Sequence, residues 1–223
     1  MCNRLHQTGK VVEYMRAKGV HVEPDITWPP PKLFPSSKKT PRLGWTIRRE
    51  ASGNRPLIGE PMAWGVPCFV KGARPGTILE KLATNVRQYS YSVWKPLIAD
   101  PAQRCLVPFT HFAEPHPEGG RGDDGLPRQA WFSLPGEPVG MFAGVWQDSA
   151  RGRVFAFLTT APNEQMRPIH PKAMPVILTT PDEVEAWMTA PPDEAMKLQR
   201  PLPDGSLRIV ARGVKEDLAI TPK

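Results

Sequence analysis

Cysteine is scarce in this 223-residue chain: Cys2, Cys68 and Cys105 stand apart, with no C-x-x-C pair. An odd, scattered set excludes a disulfide framework and a zinc knuckle, so free thiols are expected, with no metal and no cofactor. Long apolar runs are also missing, and the opening MCNRLHQTGK lacks the charged-then-apolar order of a signal peptide, which predicts a cytoplasmic chain without membrane segments. Acidic residues are sparse in the first half. Residues 1–100 hold 16 Lys and Arg against 7 Asp and Glu, whereas residues 101–223 hold 13 against 15. The formal net charge of +7 therefore originates in the first half, which is where any phosphate-facing surface should lie.

Proline, by contrast, is plentiful: 28 residues, roughly twice the number that average usage of about 5% would give. Short, punctuated elements follow from this. Thr8 is expected to cap a short helix carrying Val11, Val12 and Met15 on one face and ended by Gly19. The segment from Pro24 to Pro41, with Pro29, Pro30, Pro31, Ser36, Ser37, Lys38 and Lys39, reads as a surface arm.

From Leu43 onward the chain reads mostly as short strands rich in β-branched or aromatic residues: LGWTIRRE, PMAWGV, RCLVPF, AWFSL, MFAGVW, RVFAFLTT, MPVIL and LRIVARGV. A helix is predicted after Thr180, with Pro181 at its first position, Glu183 in its acidic first turn, and Val184, Trp187 and Met188 beyond. The Gly-rich HPEGGRGDDGLPR is expected to be a mobile loop. There is no internal repeat and no domain-sized linker. The expected architecture is one α+β domain over residues 1–223, with a curled, barrel-like β-sheet core and short peripheral helices.

Cys2 follows the initiator methionine, so loss of Met1 would leave a free α-amine and a thiol on one residue. An α-amine has an ordinary pKa near 7.7–8.0 and condenses with aldehydes as an imine. The neighbouring thiol can then close a five-membered thiazolidine, favoured because both nucleophiles share one residue. Three later segments supply polar groups beside apolar strands: TNVRQYS with Asn85 and Arg87, RCLVPFTHFAEPH with Glu114, and LTTAPNEQMRPIHPKAMPVIL with His170. An amide can position an amine, a carboxylate can shuttle protons, and an imidazole can protonate a departing hydroxyl. Taken singly, Glu114 reads rather as a surface loop carboxylate, His170 as a hydrogen-bonded turn residue before Pro171, Asn85 as a turn or cap residue, and Cys2 as chance.

Taken together and in order, these segments resemble the SOS response-associated peptidase (SRAP) family, whose members shield abasic sites in single-stranded DNA. Cys2 with Arg4 is similar to the family's Met-Cys-x-Arg start, PMAWGV to its Met-x-Trp-Gly strand, TNVR to its Asn-Ala-Arg signature, and RCLVPFTHFAEP to Arg-Cys-Leu-x-Pro followed by Phe-Tyr-Glu-Trp. MFAGVW, FLTTAPN and IHPKAMPVIL resemble Phe-Ala-Gly-Leu-Trp, Leu-Thr-Thr-x-x-Asn and His-x-Arg-Met-Pro. The likeness runs to about Trp187 and is densest between Asn85 and Leu178.

The resemblance implies that Cys2 is the crosslinking nucleophile, that Asn85 holds its amino group, that Glu114 transfers protons and that His170 lies near the sugar. It further implies that Arg4 and Arg87 meet phosphate, that Trp64 lies against DNA, and that Lys172 stands in for the motif arginine. A core position for Trp64 and a surface ion pair for either arginine are the plainer alternatives.

Several features depart from the pattern. Ala113 and Pro115 flank Glu114 where aromatics are usual, QYS follows Arg87 where Ser-Glu is usual, and one extra residue separates His170 from Met174. The family's Asn-x-Ala-Pro-Thr segment is replaced by the proline-rich region and GWTIRRE. The expected protein is a monomer whose partner is single-stranded DNA containing abasic sites. It would crosslink through Cys2 after Met1 removal, by its own peptidase action or by an aminopeptidase, with lyase activity where ring closure is slow. The rival readings are a peptidase or amidohydrolase with Cys2 as N-terminal nucleophile, and a noncovalent single-strand DNA-binding module.

Overall fold

The computed structural model describes residues 4–214 apart from 25, 27, 51–55, 117–119 and 121–127, with backbone alone at 211–214. Cys2 and most of the Gly-rich segment expected as a mobile loop lie outside the described residues. The chain opens with strand β1 (Arg4–His6), helix α1 (Gly9–Ala17), β2 (His21–Val22), β3 (Lys32–Leu33), β4 (Leu43–Arg49) and β5 (Leu57–Trp64). It continues with β6 (Val66–Lys71), β7 (Ile78–Ala83), β8 (Asn85–Val86), α2 (Lys95–Ala99), β9 (Arg104–Phe109), β10 (His111–Pro115) and β11 (Gln129–Ser133). The last elements are β12 (Gly140–Ser149), β13 (Gly152–Thr160), β14 (Met174–Pro175), β15 (Ile177–Leu178), α3 (Pro181–Thr189), α4 (Pro192–Met196) and β16 (Arg208–Val214).

Five strands close on themselves. Around the ring β4 pairs with β5, β5 runs parallel to β13, β13 pairs with β12, β12 with β9, and β9 returns to β4. Closure leaves no open sheet edge in the ring, which gives the barrel-like core expected from the strand pattern. Strict alternation sends Met62, Trp64, Cys105, Val107, Phe142, Phe155 and Phe157 to one face. It sends Trp45, Ile47, Leu106, Ala143, Val145 and Ala156 to the other, beneath α1, α2 and α3. The helices lie outside, so the aromatic set fills the barrel. Gly144 is required where strands crowd, since a Cβ there would come within 2.9 Å of Cys105 Sγ.

The helices follow their sequence signals. In α1, Val11, Val12 and Met15 are buried, and Gly19 ends the helix with φ 71°. Thr8 takes the extended N-cap backbone, but its hydroxyl makes no capping bond, unlike the expectation. In α3 the Thr180 hydroxyl accepts from the Glu183 amide, and Trp187 and Met188 are buried. Trp187 donates its indole N–H to the carbonyls of Cys105 and Gly144, riveting α3 to the barrel.

The second sheet, ordered β16-β11-β10-β1-β3, packs on the aromatic core through Phe112. The Phe112 ring lies 5.6 Å from Phe142. The N-terminal strand sits inside this sheet between β10 and β3, with Arg4 opposite Ala113, Leu5 opposite Phe112 and His6 opposite His111. Gln7 clamps it to the barrel: its buried side-chain amide donates to the Trp45 and Pro108 carbonyls, both at 2.8 Å, and accepts from the Trp45 N–H at 2.7 Å.

Two expectations need correction. PMAWGV is not one strand. Gly65, at φ 137°, ends β5, and Val66 starts a separate hairpin, β6–β7. The proline-rich arm is not wholly irregular either, because Lys32 and Leu33 pair with β1 and bury Leu33.

Candidate active site

Strand β9 leaves the barrel at Thr110, whose amide and hydroxyl both donate to the His6 carbonyl, and continues as β10 in the second sheet. That crossover carries Glu114 beneath the sheet surface, where it is fully buried. Burial disfavours the charged carboxylate, and the Glu114 pKa is raised from 4.5 to about 8. Glu114 is therefore a neutral acid with a proton to give at pH 7.

His170 reaches the same place from the turn between β13 and β14. Its Nε2 lies 3.9 Å from Glu114 Oε2, and the two side chains are 15% and 1% exposed. The opposite ring nitrogen, Nδ1, is 2.7 Å from the Ala173 carbonyl oxygen. The Ala173 amide nitrogen is also near Nδ1, at 3.2 Å, but the shorter contact is to the carbonyl, which only accepts; it favours the tautomer with the proton on Nδ1 and the Nε2 lone pair toward Glu114. Burial is the main cause lowering the His170 pKa; the Ala173 contact opposes it and Lys172 adds to it. A neutral acid facing a neutral base can pass a proton either way without creating a lasting buried charge.

Asn85 stands on β8, which runs parallel to β13 with Asn85 opposite Phe157. Arg87 follows two residues later and is exposed. Both line a groove of about 690 Å³ between the β6–β7 hairpin and residues 85–94. Every residue lining it falls between 67 and 94, within the basic first half, and Arg87 is the sole charged group among them. Two exposed aromatics that line it, Phe69 and Tyr91, are not among the candidates from sequence. Phe69 is 72% exposed and Tyr91 59%. The signal for Phe69 was a pair of short apolar runs, CFV and TIL, on either side of the Pro75-Gly76 turn.

Arg4 is half-buried on β1, its guanidinium 5.4 Å from the Phe34 ring centre, and Arg42 approaches the same ring at 5.8 Å. Lys172 is exposed two residues beyond His170. Trp64 corrects an expectation. It is 0% exposed, packed with Phe155 and Phe157 inside the barrel, so no base can stack on it. Its indole N–H donates instead to the Thr84 carbonyl at 3.0 Å, just before Asn85. Cys105 is likewise a core residue; burial raises its thiol pKa and keeps it inert. Among the described residues no cluster of His, Cys, Asp and Glu could hold a metal ion.

The fold recurs in solved structures. A protein from Bordetella bronchiseptica matches with TM-score 0.67 at 20% identity, over 93% of this chain and 97% of its own. One from Bacteroides thetaiotaomicron matches with TM-score 0.66 at 19% identity, over 93% and 90%. A phage-related protein from Bordetella bronchiseptica matches with TM-score 0.59 at 18% identity, over 93% and 92%. No curated protein matches the chain. The family model described as "SOS response associated peptidase (SRAP)" matches residues 1–217, nearly the whole sequence that builds the barrel, the Glu114–His170 pair and the Asn85 groove, and the chain belongs to that peptidase-like family.

Proposed function

We propose that this protein captures abasic sites in single-stranded DNA as a covalent thiazolidine on Cys2, after loss of Met1. The observation that carries the reading is the Glu114–His170 pair, set beneath the strand that leads back to the N-terminus. Arg4 is paired with Ala113, the neighbour of Glu114. Cys2 precedes Arg4 by two residues, and two residues of chain span at most about 7 Å. On this reading the N-terminal amine and thiol work beside a protonated carboxyl and a neutral imidazole.

The chemistry balances with these groups. The Cys2 amine attacks the aldehyde carbon, the carbonyl π pair moves to oxygen, and Glu114 supplies the proton that makes the carbinolamine hydroxyl. His170 receives one proton from nitrogen and returns it to the hydroxyl, which departs as water and leaves the protonated imine. The thiol sulfur adds to the imine carbon, the C=N π pair moves to nitrogen, and the thiol proton restores Glu114. One aldehyde, one amine and one thiol become one thiazolidine and one water. The exposed Phe69 and Tyr91 supply stacking faces for the flanking strand, worth about 1–3 kcal/mol per base, and Arg87 supplies a phosphate contact. Imine that escapes ring closure is open to β-elimination, which gives lyase activity as a side reaction.

The test is a denaturing gel of the purified protein with single-stranded DNA holding one abasic site, beside intact DNA and Cys2→Ala, after intact mass has confirmed the loss of Met1. A band that survives denaturation only with abasic DNA and native Cys2 is expected. No such band would overturn the reading and favour turnover of peptide or amide substrates by the same nucleophile.

A further inference from the structure

The amide of Asn85 is treated unequally at its two ends. Its Oδ1 accepts a hydrogen bond from the Thr84 hydroxyl at 3.2 Å. Its Nδ2 is shielded from solvent and has no hydrogen-bond partner among the described residues. Thr84 is itself held from behind, because its carbonyl receives both the Trp64 indole N–H at 3.0 Å and the Phe157 amide at 3.4 Å. Both donors belong to barrel strands. A buried amide N–H left unpaired is costly, and such groups persist where a ligand completes them.

We infer that Thr84 is a positioning residue that holds Asn85 in one of its two amide orientations, so that the site presents a hydrogen-bond donor and takes an acceptor oxygen. This deepens the aldehyde reading and rests on it. The acceptor is the aldehyde oxygen, whose charge grows as the Cys2 amine attacks. A donor aimed at a developing oxyanion lowers the barrier more than it strengthens binding. An Asn85 that instead held a protonated amine would have to offer Oδ1, the atom already engaged by Thr84. The sequence from Trp64 through Thr84 to Asn85 thus joins the barrel core to the reacting atoms, and it gives the buried tryptophan a part in the site without contact to DNA.

Single-turnover adduct formation, followed as a function of abasic-DNA concentration, separates the maximal rate from the half-saturating concentration. Thr84→Val keeps the β-branched shape and removes only the hydroxyl. It is expected to lower the maximal rate about tenfold, leaving half-saturation and the thermal midpoint unchanged, whereas Thr84→Ser restores the rate to within about twofold. Asn85→Asp replaces the donor with a carboxylate and is expected to react no faster than Asn85→Ala. A T84V protein as fast as the unsubstituted one, or N85D faster than N85A, would overturn the inference while leaving the aldehyde reading intact. If T84V loses thermal stability, the N85D against N85A comparison decides, since neither alters Thr84 itself or the barrel donors to its carbonyl. Absence of adduct with the unsubstituted protein would overturn the aldehyde reading and this inference together.

Discussion

Glu114 and His170 face each other at 3.9 Å, one arriving on strand β10 and the other from the turn before β14, both largely withdrawn from water. Burial pushes their pKa values in opposite directions, up for the acid and down for the base. The proton therefore stays on the carboxyl at neutral pH, which sets the pH behaviour of the site.

Adduct formation is expected to fall as pH rises through about 8, where Glu114 loses its proton. Glu114→Gln should remove that alkaline limb and slow the reaction by about 10²–10⁴-fold. Stability follows the same sign. A carboxyl whose folded pKa is raised contributes fully below its ordinary 4.5, and that contribution is lost as pH climbs to about 8. Denaturant titrations across pH 5–9 should show a declining stability with a slope of at most about 1.4 kcal/mol per pH unit, and a flatter profile for E114Q.

Trp64 and Phe69 should separate stability from binding. Trp64→Ala empties a core position and is expected to cost about 3–5 kcal/mol in urea denaturation. Phe69→Ala, at an exposed hairpin position, should leave stability within about 0.5 kcal/mol yet weaken single-stranded DNA binding by about 1–3 kcal/mol in a fluorescence titration. Weaker binding by a W64F protein that stays fully folded, with F69A unaffected, would reverse the assignment of these two aromatics.

Arg104 is wholly buried, and its guanidinium donates to the carbonyls of Ile98, Trp187 and Ala190. One planar group thus ties α2 and α3 to strand β9. Arg104→Met should destabilise by about 2–5 kcal/mol by stranding those carbonyls. Arg104→Lys should not rescue, because a single ammonium lacks the forked geometry to reach all three. Thermal melts of both variants test this.

Gln7 should control how firmly the N-terminal strand is held. Gln7→Leu keeps volume but breaks three bonds between β1 and the barrel, and it leaves the Trp45 amide and two carbonyls unpaired. Faster hydrogen exchange at Leu5 and His6, with slower adduct formation, is the expected result. Unchanged exchange at these two amides would show that pairing with β10 and β3 suffices.

Much of this was legible before any coordinates. The strands RCLVPF and RVFAFLTT fall where β-branched and aromatic content put them, and α3 starts after Thr180 because Pro181, Glu183 and a capping hydroxyl are local signals. For Trp64 the sequence left a core position and a DNA-facing one both open. PMAWGV shows the same apolar pattern whether its tryptophan points into a barrel or out toward a ligand, and only ring closure between β5 and β13 distinguishes the two. The β6–β7 hairpin was missed because Gly65 breaks a run that reads as continuous.

The sequence by itself determined the chemistry on offer: a cysteine after Met1, an amide, a carboxyl, an imidazole, and a basic first half beside a near-neutral second. Side-chain type and local periodicity are properties of short stretches, and they survive without a fold. The tertiary structure alone decided which groups meet. Glu114 and His170 are 56 residues apart in the chain and 3.9 Å apart in space, because β9 crosses from the barrel into the second sheet while β13 returns beside β14. Burial, and with it a carboxyl that keeps its proton at pH 7, exists only once those two sheets pack.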